Sequence, residues 1–209
     1  MLFLLVPVLT ASAAPAWQPA GTRDGISVYS REVPGSPIIA FRGDCEVPAS
    51  MGKVIGVLAD ATREKEWMDR LVEARLIKEI SDHERVAYNR TSTPWPLADR
   101  DFLFNADAKF DPANKRLVIA MRSIEDAAVP RLRGVVRGEL LRSVWTLTAL
   151  GPQTTAVSFE IQADPRGAIP KWIVNLFQSS WPRKTLEALR RQVQKPDVEE
   201  YPAFRLGNQ

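Results

Sequence analysis

The sequence predicts an α+β fold: a curved antiparallel sheet with a C-terminal helix laid across its concave face. Three observations predict it. Six strand-like segments follow one another through the middle of the chain, and the short turns between them favour antiparallel neighbours. In segment 154–163, Val157, Phe159 and Ile161 alternate with Ser158, Glu160 and Gln162, the pattern of a sheet with one wet face. The last periodic segment, 169–193, has helical spacing and follows all the strands.

The elements follow in order. Asp24-Gly25 before Ile26, Val28 and Tyr29 reads as a turn entering a strand. Pro34-Gly35-Ser36-Pro37 is a loop, and 38–47 is the next strand. Ser50 is placed to cap a helix whose Met51, Val54, Ile55 and Leu58 share a face. A second short helix is expected over 62–68. The strands that follow are 71–80, 85–92, 101–110, 116–124, 135–150 and 154–163. Leu117, Ile119 and Met121 oppose Arg116 and Arg122, although Val118 and Ala120 blur that alternation. A longer loop, 125–134, contains Pro130. In the final helix Ile169, Trp172, Ile173, Leu176, Phe177 and Ser180 share one face, whereas Leu186, Leu189 and Val193 lie nearly opposite. Pro182 sits between the two stripes, so a kink or break is expected near Trp181-Pro182.

Composition bounds the function. The chain has 209 residues, 45% apolar and 25% charged, which suits one soluble globular domain. A net charge of +3 does not imply nucleic acid. Met1 to Leu9 is nearly all apolar and Ala11-Ser12-Ala13 is a small-x-small site. Residues 1–13 therefore read as a secretory leader without a basic n-region, and a periplasmic or secreted location is expected. Cys45 is the only cysteine, so no intramolecular disulfide forms. His83, the only histidine, falls in the polar turn Ser81-Asp82-His83-Glu84-Arg85. A Cys–His or Ser–His catalytic pair is not expected, nor is a metal site or a cofactor.

Four segments together carry a family resemblance. Trp95-Pro96-Leu97 with Asp99-Arg100-Asp101-Phe102 resembles the PWPL–RDF segment of START-domain lipid-transfer proteins. Trp17 with Asp24-Gly25-Ile26-Ser27-Val28-Tyr29, Arg133-Gly134-Val135-Val136-Arg137-Gly138, and Asp164-Pro165-Arg166-Gly167-Ala168-Ile169-Pro170-Lys171-Trp172 agree in order and spacing. The resemblance spans residues 17–195 and is greatest to bacterial members and to the sterol-carrying steroidogenic acute regulatory protein; 196–209 remain as a tail.

The resemblance implies a helix-grip fold with an internal cavity holding one sterol, phospholipid or similar molecule. It implies that loop 125–134, including Glu125, Pro130 and Gly134, gates that cavity. It places a buried cavity carboxylate at Glu73, while the arginine that pairs with it would fall at Ala106. Either Arg75 takes over or the cavity is chemically different. Phe102, Phe104, Met121, Trp145, Phe159, Phe177 and Trp181 are candidate lining, and Tyr88, Ile119 and Val174 complete the expected ligand-binding set.

The leading expectation is a non-enzymatic, monomeric lipid carrier. It would touch membranes transiently, through a rim made basic by Arg131, Arg133, Arg137, Arg142 and the basic residues of 166–195. The alternatives are a cyclase- or aromatase-type enzyme using a Glu73–Arg75 pair, and a ligand-sensing module.

Overall fold

The computed structural model describes residues 15–201, so the leader segment 1–13 lies outside the described residues. The element order is β1 (Gln18–Arg23), β2 (Ile26–Arg31), β3 (Ala40–Val47), α1 (Met51–Ala59), a 3-10 turn (Glu64–Glu66), β4 (Leu71–Glu79) and β5 (Glu84–Thr91). Then come β6 (Asp99–Asp111), β7 (Arg116–Ser123), β8 (Val135–Arg137), β9 (Glu139–Gly151), β10 (Thr154–Asp164), α2 (Lys171–Ser179) and α3 (Trp181–Gln192). One sheet runs β1-β2-β3-β10-β9-β7-β6-β5-β4, antiparallel throughout, with β8 added in parallel to β6. The expected α+β architecture is present.

Three expectations change in detail. The predicted helix 62–68 is only the 3-10 turn. Asp60 Oδ1 accepts hydrogen bonds from the Thr62 and Arg63 N–H groups at 3.0 and 3.3 Å, holding the chain in a local turn that competes with helix. The predicted strand 135–150 divides at Gly138: β8 follows β6, whereas β9 pairs with β7 and β10. The predicted helix 169–193 divides at Ser180, one residue from where the shift of the apolar stripe and Pro182 placed the break. Pro182 has no N–H to donate to the preceding turn, but it is tolerated in the first turn of α3.

Ser50 caps α1 as expected, its Oγ accepting from the Lys53 N–H at 3.2 Å. The first tail residues lie along this helix: the Tyr201 N–H donates to the Gly52 carbonyl at 3.0 Å.

The main core lies between α3 and the β2-β3-β10 half of the sheet. Leu186, Leu189 and Val193 are buried against a layer that includes Ile26, Cys45, Val47, Val157, Phe159 and Ile161. The alternation in β10 therefore pointed to the helix side. Gly43 is where this contact is tightest. A Cβ there would lie 2.8 Å from Leu186 Cδ1 and 2.9 Å from Pro182 Cβ. Gly43→Val should destabilise the protein by about 1–3 kcal/mol through overpacking. A urea melt checks this by a lower midpoint at unchanged slope.

Candidate functional site

Strand register decides which residues share a face of the sheet, because paired residues point to the same side. Phe104 and Ala106 of β6 pair with Ser123 and Met121 of β7; Ile119 pairs with Trp145, Trp145 with Phe159, and Phe159 with Gly43. Gly43 touches α3, so this whole row faces the helices. Phe102, two residues before Phe104, belongs to it. The structure thus gathers Phe102, Phe104, Ala106, Ile119, Met121, Trp145 and Phe159 on one concave face. Trp145 and Phe159 stack with ring centres 4.2 Å apart.

The helices cover this face unevenly. α3 packs on β2, β3 and β10, and neither α2 nor α3 packs closely on β4, β5 or β6. Trp145 and Phe159 are buried beneath α3's half, whereas Phe102, Phe104, Ile119 and Met121 keep accessible surface although they face inward. Trp181, at the start of α3, is likewise half-buried against this layer. The β4–β7 wing and the helices therefore bound an apolar recess whose wing side is only partly filled by the protein's own side chains. Two other hollows open elsewhere: one of about 430 Å³ between α1, the 3-10 turn and residues 197–201, and one of about 670 Å³ beside Arg42 and Arg190.

α2 docks the wrong way round for an amphipathic helix. Its polar side chains hold it down. Lys171 Nζ donates to the Asp164 carboxylate at 2.9 Å, the Asn175 side chain bonds Ile39 N–H and the Pro37 carbonyl, and the Gln178 amide bonds both backbone groups of Ala163. Val174 is buried, but Trp172, Leu176 and Phe177 are 69%, 63% and 63% exposed. A soluble helix normally buries its apolar face.

The polar residues expected in the cavity are elsewhere. Arg75 pairs with Tyr88 and Tyr88 with Leu103, which puts Glu73, Arg75 and Tyr88 on the face away from the helices. Glu73 and Arg75 form a partly exposed ion pair at 2.9 Å, and the Arg75 guanidinium lies 4.6 Å from the Tyr88 ring centre. The displacement has a simple cause. Strand side chains alternate, so Glu73 and Arg75 cannot share a face with Ala74, nor Tyr88 with Asn89, and it is Ala74 and Asn89 that pair on the helix side. Loop 125–134 also lies on the outer face, with Val129 buried against Val86, Tyr88 and Leu103. Glu125 is exposed in an ion pair with Arg131 at 2.7 Å, Pro130 is exposed, and Gly134 takes a left-handed conformation with φ +78°.

Three of the four segments that carried the family resemblance converge on one structural joint. Arg137 forms a two-pronged bond to the Asp101 carboxylate at 2.9 and 3.1 Å, both residues buried. A Cβ on Gly138 would sit 2.5 Å from the Phe102 ring. Arg100 Nε donates to the Pro165 carbonyl at 3.3 Å.

One part-buried carboxyl on the helix side was not anticipated. Glu64 Oε1 accepts a hydrogen bond from Asn89 Nδ2 at 2.9 Å, and Asn89 pairs with Phe102 on the inward face. Burial pushes the Glu64 carboxyl up to about 7, against the opposing effect of the Asn89 hydrogen bond. In sequence Glu64 lies in the charged run Thr62-Arg63-Glu64-Lys65-Glu66, which reads as solvated. The one available signal was its position three residues before the buried Trp67, on the same side of a helical turn.

Cys45 is in β3 and His83 in the β4–β5 turn, five strand steps apart in the sheet. Burial raises the Cys45 thiol to about 11, which leaves little thiolate, and the His83 ring is exposed beside Ser81 Oγ at 3.2 Å. Among the described residues there is no cluster of three or more His, Cys, Asp or Glu suited to a metal, and no helix is long and apolar enough to cross a membrane.

The geometry defines a helix-grip domain with an apolar recess between wing and helices. The START domain family model matches residues 9–196, and the chain belongs to that family. An uncharacterized protein of Pseudomonas aeruginosa is 27% identical over 87% of this chain and 89% of its own length. Mouse phosphatidylcholine transfer protein is 27% identical over 81% of this chain and 78% of its own. Among solved structures, a STAR-related lipid transfer protein from Xanthomonas axonopodis is 31% identical with a TM-score of 0.76, covering 86% of this chain and 99% of that one. An aromatase/cyclase from Streptomyces, 15% identical with a TM-score of 0.53, shares the fold alone.

Two measurements follow. Asp101→Ala should cost about 3–5 kcal/mol in a denaturant melt, because it strands the Arg137 charge in the interior. For Glu64 the folded carboxyl holds its proton more tightly than the unfolded one, with an ordinary value of 4.5 raised to about 7. Its contribution to stability is therefore fully present below pH 4.5 and is lost as pH rises to 7. Glu64→Gln should flatten that decline, a gain of up to about 3 kcal/mol above pH 7 at 1.36 kcal/mol per unit. Melting temperatures of both proteins across pH 4.5–8 test it; parallel curves would exclude a buried Glu64.

Proposed function

We propose that this protein is a non-enzymatic carrier that takes one lipid-like apolar molecule into the recess between the β4–β7 wing and the final helices. The observation that carries the reading is the inverted docking of α2. Polar side chains anchor this helix, and its apolar face, Trp172, Leu176 and Phe177, is left without protein cover. An exposed apolar patch of this kind suits an apolar partner. The half-covered Phe102, Phe104, Ile119 and Met121 supply the matching inner surface. Each 100 Å² of apolar ligand surface sheltered there would contribute about 2.5 kcal/mol before losses. The names of the similar proteins, phosphatidylcholine transfer protein and STAR-related lipid transfer protein, support the same class of cargo.

Loading requires contact with a membrane, and α2 is the part of the protein suited to it. The contact is apolar more than electrostatic. The basic residues expected to form a charged rim mostly have carboxylate partners: Arg131 with Glu125, Arg166 with Glu139, Lys171 with Asp164, Arg183 with Glu187 and Lys184 with Asp69. Arg137 is buried with Asp101, and Arg142 pairs with Glu160. The proposal includes export of a monomer to the periplasm or beyond, supported by the apolar run and small-x-small site of residues 1–13.

Replacing Trp172, Leu176 and Phe177 together by serine should slow lipid transfer between vesicles at least ten-fold. Stability should move by only about 0.5 kcal/mol per site, as expected for exposed positions. Transfer of a pyrene-labelled diacylglycerol from neutral vesicles provides the measurement, and an unchanged rate in the triple variant would remove α2 from the loading step.

A further inference from the structure

On the inward face of the wing a carboxyl stands beside the apolar row. Glu64 and Asn89 meet at 2.9 Å on the inward face, beside Phe102 and two strand residues from the Ala87–Phe104 pair. Asn89 is buried, whereas Glu64 is only partly covered. Among the described residues, the hydrogen bond from Asn89 is the one that reaches the carboxyl. The neighbouring charges are engaged elsewhere. Arg63 binds Glu66 and Asp197; Lys195 also binds Glu66. Arg85 donates to the Ala59 carbonyl at 3.2 Å. Arg90 lies on the outer face between Glu73 and Asp99. Lys65 is exposed and Asp60 is turned onto the Thr62 and Arg63 backbone.

A carboxyl without a cation in a part-buried site retains hydrogen-bonding capacity that a guest can use. It can accept from a hydroxyl or amide N–H, and when protonated it can donate to a hydroxyl or carbonyl oxygen. An anionic phosphate placed against it would meet either a like charge or, at best, a neutral group with no compensating cation.

We propose that Glu64 and Asn89 form the head-group site of the recess, selecting an uncharged lipid that carries a hydroxyl or amide and disfavouring one that carries a phosphate. The proposal rests on the carrier reading above. The elevated carboxyl pKa agrees with it, since a group poised near neutrality serves both as donor and acceptor.

The test compares pyrene-labelled diacylglycerol with pyrene-labelled phosphatidic acid of the same acyl chains, presented in neutral vesicles at pH 6.5. The two lipids differ only in hydroxyl against phosphate. The full chain should bind the diacylglycerol at least ten-fold more tightly. Glu64→Gln should keep the preference, because an amide retains both hydrogen-bonding roles without the charge. Glu64→Lys should abolish or reverse it while still binding lipid. If Glu64→Lys does not fold by circular dichroism, Glu64→Ala takes its place and should lose the preference. Equal binding of both lipids by the wild-type protein, or the wild-type ratio in Glu64→Lys or Glu64→Ala, would overturn the head-group assignment and leave the carrier reading standing. Binding of neither lipid by any of the proteins would overturn both.

Discussion

The bond between Asp101 and Arg137 holds together the half of the molecule that makes a recess possible. It ties β8 to β6 as the only parallel pair in the sheet of the described residues, and it does so in the interior. A buried ion pair gains little over a well-packed apolar pair, but half of one is costly. Its geometry therefore constrains everything attached to it. Gly138 must be bare because Phe102 lies on it. The same segment sets where β9 begins and returns loop 125–134 to the outer face, where Val129 closes over Tyr88 and Leu103. The wing is thus reinforced from outside. Its inner face is spared from packing against the helices.

That division of labour gives the sheet two kinds of interior. Beneath α3 the core is closed, with Gly43 admitting Leu186 and Pro182 to within a methyl's width of the backbone. Along β6 and β7 the inward row is apolar but only partly covered. The break at Ser180 separates helices with opposite habits: α3 buries apolar residues in the usual way, and α2 is pinned by Lys171, Asn175 and Gln178 while its apolar side is open. Pro182, which has no N–H for the preceding turn, lies at the start of the second helix, next to that break.

Charge follows the same logic. Several basic residues that crowd the last third of the sequence find carboxylates on β9 and β10, such as Glu139, Asp164 and Glu160. Part of the local charge excess is therefore offset where these side chains pair. Glu64 is the converse case, a residue in a strongly charged run that the fold turns toward Asn89.

The order and type of the main elements, the break near Pro182 and the cap at Ser50 were legible in the sequence. They depend on local chemistry: period-two alternation, turn residues and a missing N–H. The family resemblance was legible too, and three of its four segments meet at the Asp101–Arg137 joint. What tertiary structure alone decided was which side of the sheet each polar residue occupies. Glu73, Arg75 and Tyr88 fell outside and Glu64 inside, because a face is assigned by register across several strands and a buried carboxyl by the neighbours folded over it. A linear sequence gives the alternation along one strand. It does not say which phase of that alternation meets the helix, and that phase determines which groups a bound molecule would touch.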